Sequence, residues 1–167
     1  MAIDAFLKLG DIKGESKDHK YKDWIDVMAW SWGASQSGAF HAGGGGGAGK
    51  VNVSDLAVTC RFEKSIPDCL MHVANGKHIP KCTLVLRKAG EKPLEYLKIT
   101  MQKVMCTSVQ TGASSGDEFL VTQLSFNCAE IGLHYIEQKE DGSEGAKPDF
   151  GWNILSNESM SPPSPHA

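Results

Sequence analysis

No stretch of the chain approaches the ~18 consecutive apolar residues that a membrane-spanning helix needs, so membrane insertion is not expected. The first residues, Met1-Ala2-Ile3-Asp4-Ala5-Phe6-Leu7-Lys8, place an acid where a secretory leader has its basic region and lack the unbroken apolar run that follows. Read alone, they keep the protein in the cytosol. Charge of one sign is lacking too: 17 basic and 20 acidic side chains leave a formal −3, without the basic footprint that nucleic acid or an anionic membrane selects. Cys60, Cys69, Cys82, Cys106 and Cys128 are an odd number without C-x-x-C spacing. That argues against a disulfide framework or a zinc site and for small buried hydrophobes in a reducing compartment. G-x-S-x-G and H-E-x-x-H are missing, and the six histidines are scattered. No catalytic, cofactor-binding or metal-binding residue is assigned, and enzyme activity is not expected.

What the chain has in excess is glycine, concentrated between two strand-like stretches. Trp30-Ser31-Trp32-Gly33 leads into Gly43-Gly44-Gly45-Gly46-Gly47-Ala48-Gly49-Lys50, and the chain leaves through Val51-Asn52-Val53. The connection is far longer than the ~2–5 residues of a hairpin loop. Gly44 to Lys50 fits most of the phosphate-cradling pattern G-x-x-x-x-G-K-[ST], but Val51 stands where the magnesium-binding hydroxyl belongs, and the residues after it read as strand. A flexible linker fits poorly, since no second domain lies beyond it to connect. The remaining reading is an extended arm that orders against another subunit, glycine allowing two backbones to approach closely. Its contact residues are then Phe40, His41, Gly43, Gly44, Gly45, Gly46, Gly47, Gly49 and Lys50.

Elsewhere, apolar residues alternate with period two. Trp24, Met28, Trp30 and Trp32 fall on one face of a strand, while Ile25, Val27, Ala29 and Ser31 fall on the other, which is apolar enough to need a cover. If the indoles fill the core, Ser31 points outward. Leu56, Val58, Cys60 and Phe62 alternate likewise. Ser65-Ile66-Pro67-Asp68 reads as a capping box opening a short helix with an Ile66, Leu70, Val73 stripe, closed by Gly76. The alternation slips near Ser54-Asp55, between Met101 and Val104, and between Cys128 and Ile131. An extra residue at such a slip is a β-bulge, which bends a strand as barrel closure requires. The pattern predicts a mainly β protein: an antiparallel β-barrel of two curved sheets with one short α-helix and a long glycine-rich extended loop, an open sandwich being the alternative. The domain is expected over residues 1–156, with a disordered Ser/Pro-rich tail over 157–167.

These residues together resemble the Hcp proteins of the bacterial type VI secretion system. The matching segments are Asp4, Phe6, Lys8, Gly10-Asp11, Gly14-Glu15-Ser16, Ile25-Asp26-Val27, Trp30-Ser31-Trp32-Gly33, Gln36-Ser37-Gly38 and Gly43 to Val53. They continue through Lys64-Ser65, Gly76-Lys77-His78, Arg87-Lys88-Ala89-Gly90, Glu95-Tyr96-Leu97 and Gly151-Trp152-Asn153. The resemblance implies a barrel subunit of a homo-hexameric ring, rings stacking into an inner tube that a sheath drives outward, with a VgrG-type spike protein at the tip. It further implies export from the bacterial cytoplasm without a signal peptide and carriage of small effector proteins in the ring lumen, where the outward face at Ser31 would lie. A phosphate- or nucleotide-binding protein using Gly44 to Lys50 and a monomeric ligand-binding barrel are the competing expectations.

Overall fold

The computed structural model describes residues 2–38 and 49–165. In chain order the elements are β1 (Ile3–Leu9), β2 (Ile25–Ser31), β3 (Ala34–Ser35), β4 (Asn52–Val53), β5 (Leu56–Arg61), α1 (Ser65–Asn75), β6 (Ile79–Lys88), β7 (Leu94–Gly112), β8 (Val121–Tyr135), β9 (Asp149–Asn153) and β10 (Glu158–Ser159). The principal sheet runs β10-β9-β8-β5-β2-β1-β6-β7, and a further β7–β8 pairing closes six of these strands into an antiparallel barrel. Strands β3 and β4 form a separate two-stranded ribbon. The barrel is therefore closed, as the phase slips require, and the open sandwich is excluded.

The slips in β7 and β8 share one structural cause, and the one near Ser54-Asp55 falls between β4 and β5. At Lys103 the backbone turns left-handed, φ 54°. Gln102 pairs with Glu130 and Val104 with Cys128, so Lys103 and Ala129 are passed over together. Both strands change phase at one level, which keeps Ile99, Met101, Val104 and Cys106 of β7 facing Phe126, Cys128 and Ile131 of β8 inside the barrel. No extra residue is inserted there; the β-bulge of β7 lies instead between Cys106 and Ser108 and turns over the lower half of the strand.

Another bulge, between Val27 and Ala29 in β2, corrects the face assignment drawn from the alternation. Val27 pairs with Cys60, whereas Ala29 pairs with Thr59, so Met28 is the extra residue. Ile25 is 1% exposed and Val27 packs with it against the core. The apolar face expected to need a covering partner is thus largely the protomer's own interior. Trp30 and Trp32 do pack on the core, but Trp24 lies outside it, edge-on to Tyr21 at 4.8 Å.

Helix α1 ends as expected at Gly76, left-handed with φ 69°, its N–H bonded to the His72 carbonyl. Its start differs: Lys64 is the N-cap without a side-chain cap bond, because the Ser65 hydroxyl donates instead to Glu63 Oε1 at 2.5 Å. The buried face is Ser65, Ile66 and Cys69; Leu70 and Val73 are exposed. All five cysteines are free and buried, and burial pushes the Cys106 thiol up to about 11 and Cys60, Cys69 and Cys128 up to about 12. These thiols are inert packing at neutral pH.

The segment after residue 156 is not disordered as far as residue 165. Glu158 pairs with Asn153 and Ser159 with Trp152, and Pro163 is buried. The low-complexity composition that argues for disorder is overridden by a docking surface that composition cannot show.

Candidate functional site

The outward face of β2, β5, β8 and the end of β7 forms a shallow depression of about 420 Å³. Strand register builds it in rows. Ser31 lies opposite Ala57, Ala57 opposite Ser125, and Ser125 opposite Ser108; the next row is Ala29, Thr59, Gln123 and Gln110. Beneath them Trp30, Val58, Leu124 and Val109 point into the core. None of the eight surface side chains carries a charge and six are small. Among the described residues, Ser31, Gln110 and Gln123 have no side-chain hydrogen-bond partner, so the wall offers neutral donors and acceptors to whatever lies over it.

Charge returns only at the wall's margins. Two residues before Ala57, Asp55 accepts from Thr107 Oγ1 at 2.7 Å and from Asn127 Nδ2 at 2.9 Å. Two residues after Thr59, the Arg61 guanidinium sits 4.1 Å from the Phe119 ring centre.

Of the residues singled out in the sequence, Ser31 is exposed and faces away from the indoles as expected, although β2 reaches that orientation through the bulge at Met28. Phe40, His41, Gly43, Gly44, Gly45, Gly46 and Gly47 lie outside the described residues. Gly49 and Lys50 are exposed and lead into strand β4, which pairs with β3. Lys50 is thus followed by extended backbone, and no helix N-terminus is aimed at a phosphate there. ATP titrated into the wild type and into Lys50→Ala is expected to give the same flat calorimetric trace; saturable heat abolished by the substitution would overturn this. No group of three or more metal-ligating side chains occurs among the described residues, and no helix there is long and apolar enough to cross a membrane.

The face made by β1, β6 and β7 has a different character, and the sequence pattern missed it. The segment of residues 14–24 closes on itself just ahead of β2 through hydrogen bonds from Gly14 N to Asp23 O, 2.7 Å, and Ser16 N to Trp24 O, 2.9 Å. A Cβ on Gly14 would fall 2.3 Å from the Trp24 carbonyl oxygen, so only glycine admits this approach. Tyr21 then stacks on Phe6 with ring centres 4.5 Å apart. Arg87 clips the segment down: Nη2 and Nη1 donate to the two Asp18 oxygens at 2.6 and 3.2 Å, and Nη2 also reaches Asp4 at 3.1 Å. Its guanidinium lies over both Phe6 and Tyr21. The Arg87 hydrogen bonds, opposed by burial and helped by the Lys20 and Tyr21 backbone N–H groups, hold the Asp18 carboxyl at about 2. Beside it Glu95 accepts from Lys20, Tyr21 and Lys98. Burial raises this carboxyl, but the three donors outweigh it and leave it at about 2.

The fold and the wall define a class: a closed antiparallel β-barrel that presents an uncharged polar surface on one side and a charged clip on another. Comparisons with known proteins carry this further. A family profile described as "Type VI secretion system effector, Hcp" matches residues 6–135. The chain is 50% identical over 159 residues to "Protein hcp1" of Pseudomonas aeruginosa, covering 94% of this chain and 98% of that one. Among solved structures, "Structure of a type six secretion system protein" superposes with a TM-score of 0.89 at 26% identity, over 95% of this chain and 100% of the other. Hcp1 from Salmonella typhimurium gives 0.77 at 30% identity, over 96% and 100%. The chain belongs to the Hcp family of type VI secretion system proteins.

Proposed function

We propose that this chain is the subunit of a type VI secretion inner tube: six copies close into a ring, rings stack, and the neutral wall around Ser31 lines the lumen and holds small effector proteins. The observation that carries the reading is that wall. Eight contiguous uncharged side chains across four strands suit a passage that must touch cargo without gripping it, because neutral hydrogen bonds to a wet surface contribute only about 0.5–1.5 kcal/mol each. The stretch 40–50 serves as the arm that orders against a neighbouring subunit. Its glycines permit close backbone contact, and Phe40 is its one large apolar anchor. A contractile sheath surrounds the tube, a VgrG-type spike protein sits at its tip, and the protein leaves the bacterial cytoplasm through the apparatus it builds. Closed rings are the usual outcome of a heterologous interface whose rotation closes. Light scattering is expected to give six times the 18.0 kDa protomer mass, and negative-stain images to show rings. A protomer mass across a wide concentration range would overturn the proposal.

A further inference from the structure

A row of residues with little or no side chain crosses the outside of the barrel. Lys8 lies opposite Thr83, Thr83 opposite Thr100, Thr100 opposite Gly132, and Gly132 opposite Gly151. After Lys8 the row is threonine, threonine, glycine, glycine, a trough running across the strands. The segment of residues 160–165, Met-Ser-Pro-Pro-Ser-Pro, lies in its glycine end. A Cβ on Gly151 would stand 2.2 Å from the Met160 carbonyl oxygen and 2.7 Å from Pro162 N; one on Gly132 would stand 2.5 Å from Pro162 Cβ and 2.6 Å from Pro163 Cδ. Glycine inside a strand weakens it and marks a close backbone approach. Here two of them face each other across β8 and β9, with Pro162 against both. His134 Nε2 is 3.3 Å from the Pro163 carbonyl oxygen, and Met160 N donates to Gly151 O at 3.2 Å.

We infer that this trough is a docking site for a proline-rich strand, filled in cis by the chain's own residues 160–165. Proline suits it because an extended proline segment needs no backbone partners of its own and loses little entropy on docking. The occupant also shapes what lies beyond. Pro165 walls a cleft of about 440 Å³ that Tyr21, Trp24, Thr83 and Val85 also line, with charged side chains of both signs, Lys8 and Glu95 among them. The docked tail therefore completes one side of this cleft, and undocking it opens both.

The test uses the full chain and a glutamyl endopeptidase, because Glu158 sits in the short strand that leads into the trough. In the wild type, cleavage after Glu158 is expected to be slow. In Gly132→Val, whose side chain occupies the place of Pro162, and in Pro162→Gly/Pro163→Gly, it should rise by at least about tenfold, tracking the fraction undocked. Near-ultraviolet circular dichroism should stay native in both. A fluorescent synthetic peptide of residues 159–165 should then bind saturably to Pro162→Gly/Pro163→Gly, whose trough is empty but intact, and not to Gly132→Val. Unchanged cleavage in both variants, or peptide binding that ignores Gly132→Val, would overturn the assignment. So would wild-type protection that falls on dilution, since a neighbouring copy would then supply the strand.

Discussion

Replacing Arg87 with methionine will lower the stability of the folded chain by about 3 kcal/mol, read as a urea midpoint shift at fixed protein concentration. The side chain is 14% exposed and Asp18 is 23% exposed. Removing one partner of a largely desolvated, doubly bonded ion pair costs about 3–5 kcal/mol, and the lower end applies because Asp18 can regain some water. Asp4, at 45% exposure, adds little through screened contact. Methionine keeps the apolar stem, so the loss belongs to the guanidinium: its bonds to Asp18 and its stacking over Phe6 and Tyr21. For a chain of this size the melting temperature should fall by about 6–12 °C. A shift under about 1 kcal/mol would mean that the 14–24 segment is held by its backbone bonds and the Phe6–Tyr21 stack alone.

The same clip sets the acid limit of the fold. Asp18 and Glu95 both have carboxyls held at about 2 in the folded chain, below the ordinary range near 4 of an unfolded one. A depressed carboxyl contributes stability that is fully present above its unfolded value and is lost as the pH falls through the folded one. Stability should therefore be level at neutral pH and fall between about 4.5 and 2. In Arg87→Met the Asp18 share of that slope shrinks to what the Lys20 and Tyr21 backbone N–H groups maintain, while the Glu95 share remains, since Lys98 and Tyr21 still donate to it. Lys20, the largest of the three contributions to Glu95, also remains, although solvent screens part of it at 63% exposure.

Why some of this was legible in the sequence follows from which interactions are local. Period-two alternation and its three slips reflect each residue's own choice of inside or outside, so the closed barrel could be read from Met101/Val104 and Cys128/Ile131. Ser31 could be oriented because Trp30 and Trp32, on either side, have to find an apolar home. Met28 shows the limit. It is apolar and keeps the parity of Trp30, yet it is the looped-out residue of a bulge and is 53% exposed; nothing within seven residues distinguishes it from a core methionine. The Arg87 clip was invisible for another reason: Asp18 and Arg87 are 69 positions apart, and each alone reads as an ordinary surface charge. The trough failed in the same way. Gly132 and Gly151 look like weaknesses in two strands, and the Ser/Pro tail looks like disorder, until the three are seen to occupy one place.

Replacing Ser31 with glutamine is expected to leave the ring intact and to reduce cargo retention by about tenfold, which corresponds to about 1.4 kcal/mol. Ser31 is exposed and its neighbours in the row, Ala57, Ser125 and Ser108, are all small, so a longer side chain has room to lie over the wall without entering the core. Its effect on protomer stability should stay within about 0.5 kcal/mol, as for other surface positions away from caps and buried networks. The loss falls on what the wall touches: glutamine fills part of the depression and covers the Ala57 and Ser125 surface that a cargo would contact. Size-exclusion chromatography should give identical ring profiles for wild type and Ser31→Gln, while co-purification of a lumen-sized effector drops. A broken ring would place Ser31 in a subunit contact. Unchanged ring and unchanged cargo would show that cargo does not touch this wall, and a second substitution, Gln123→Ala in the adjoining row, would then be expected to be silent as well.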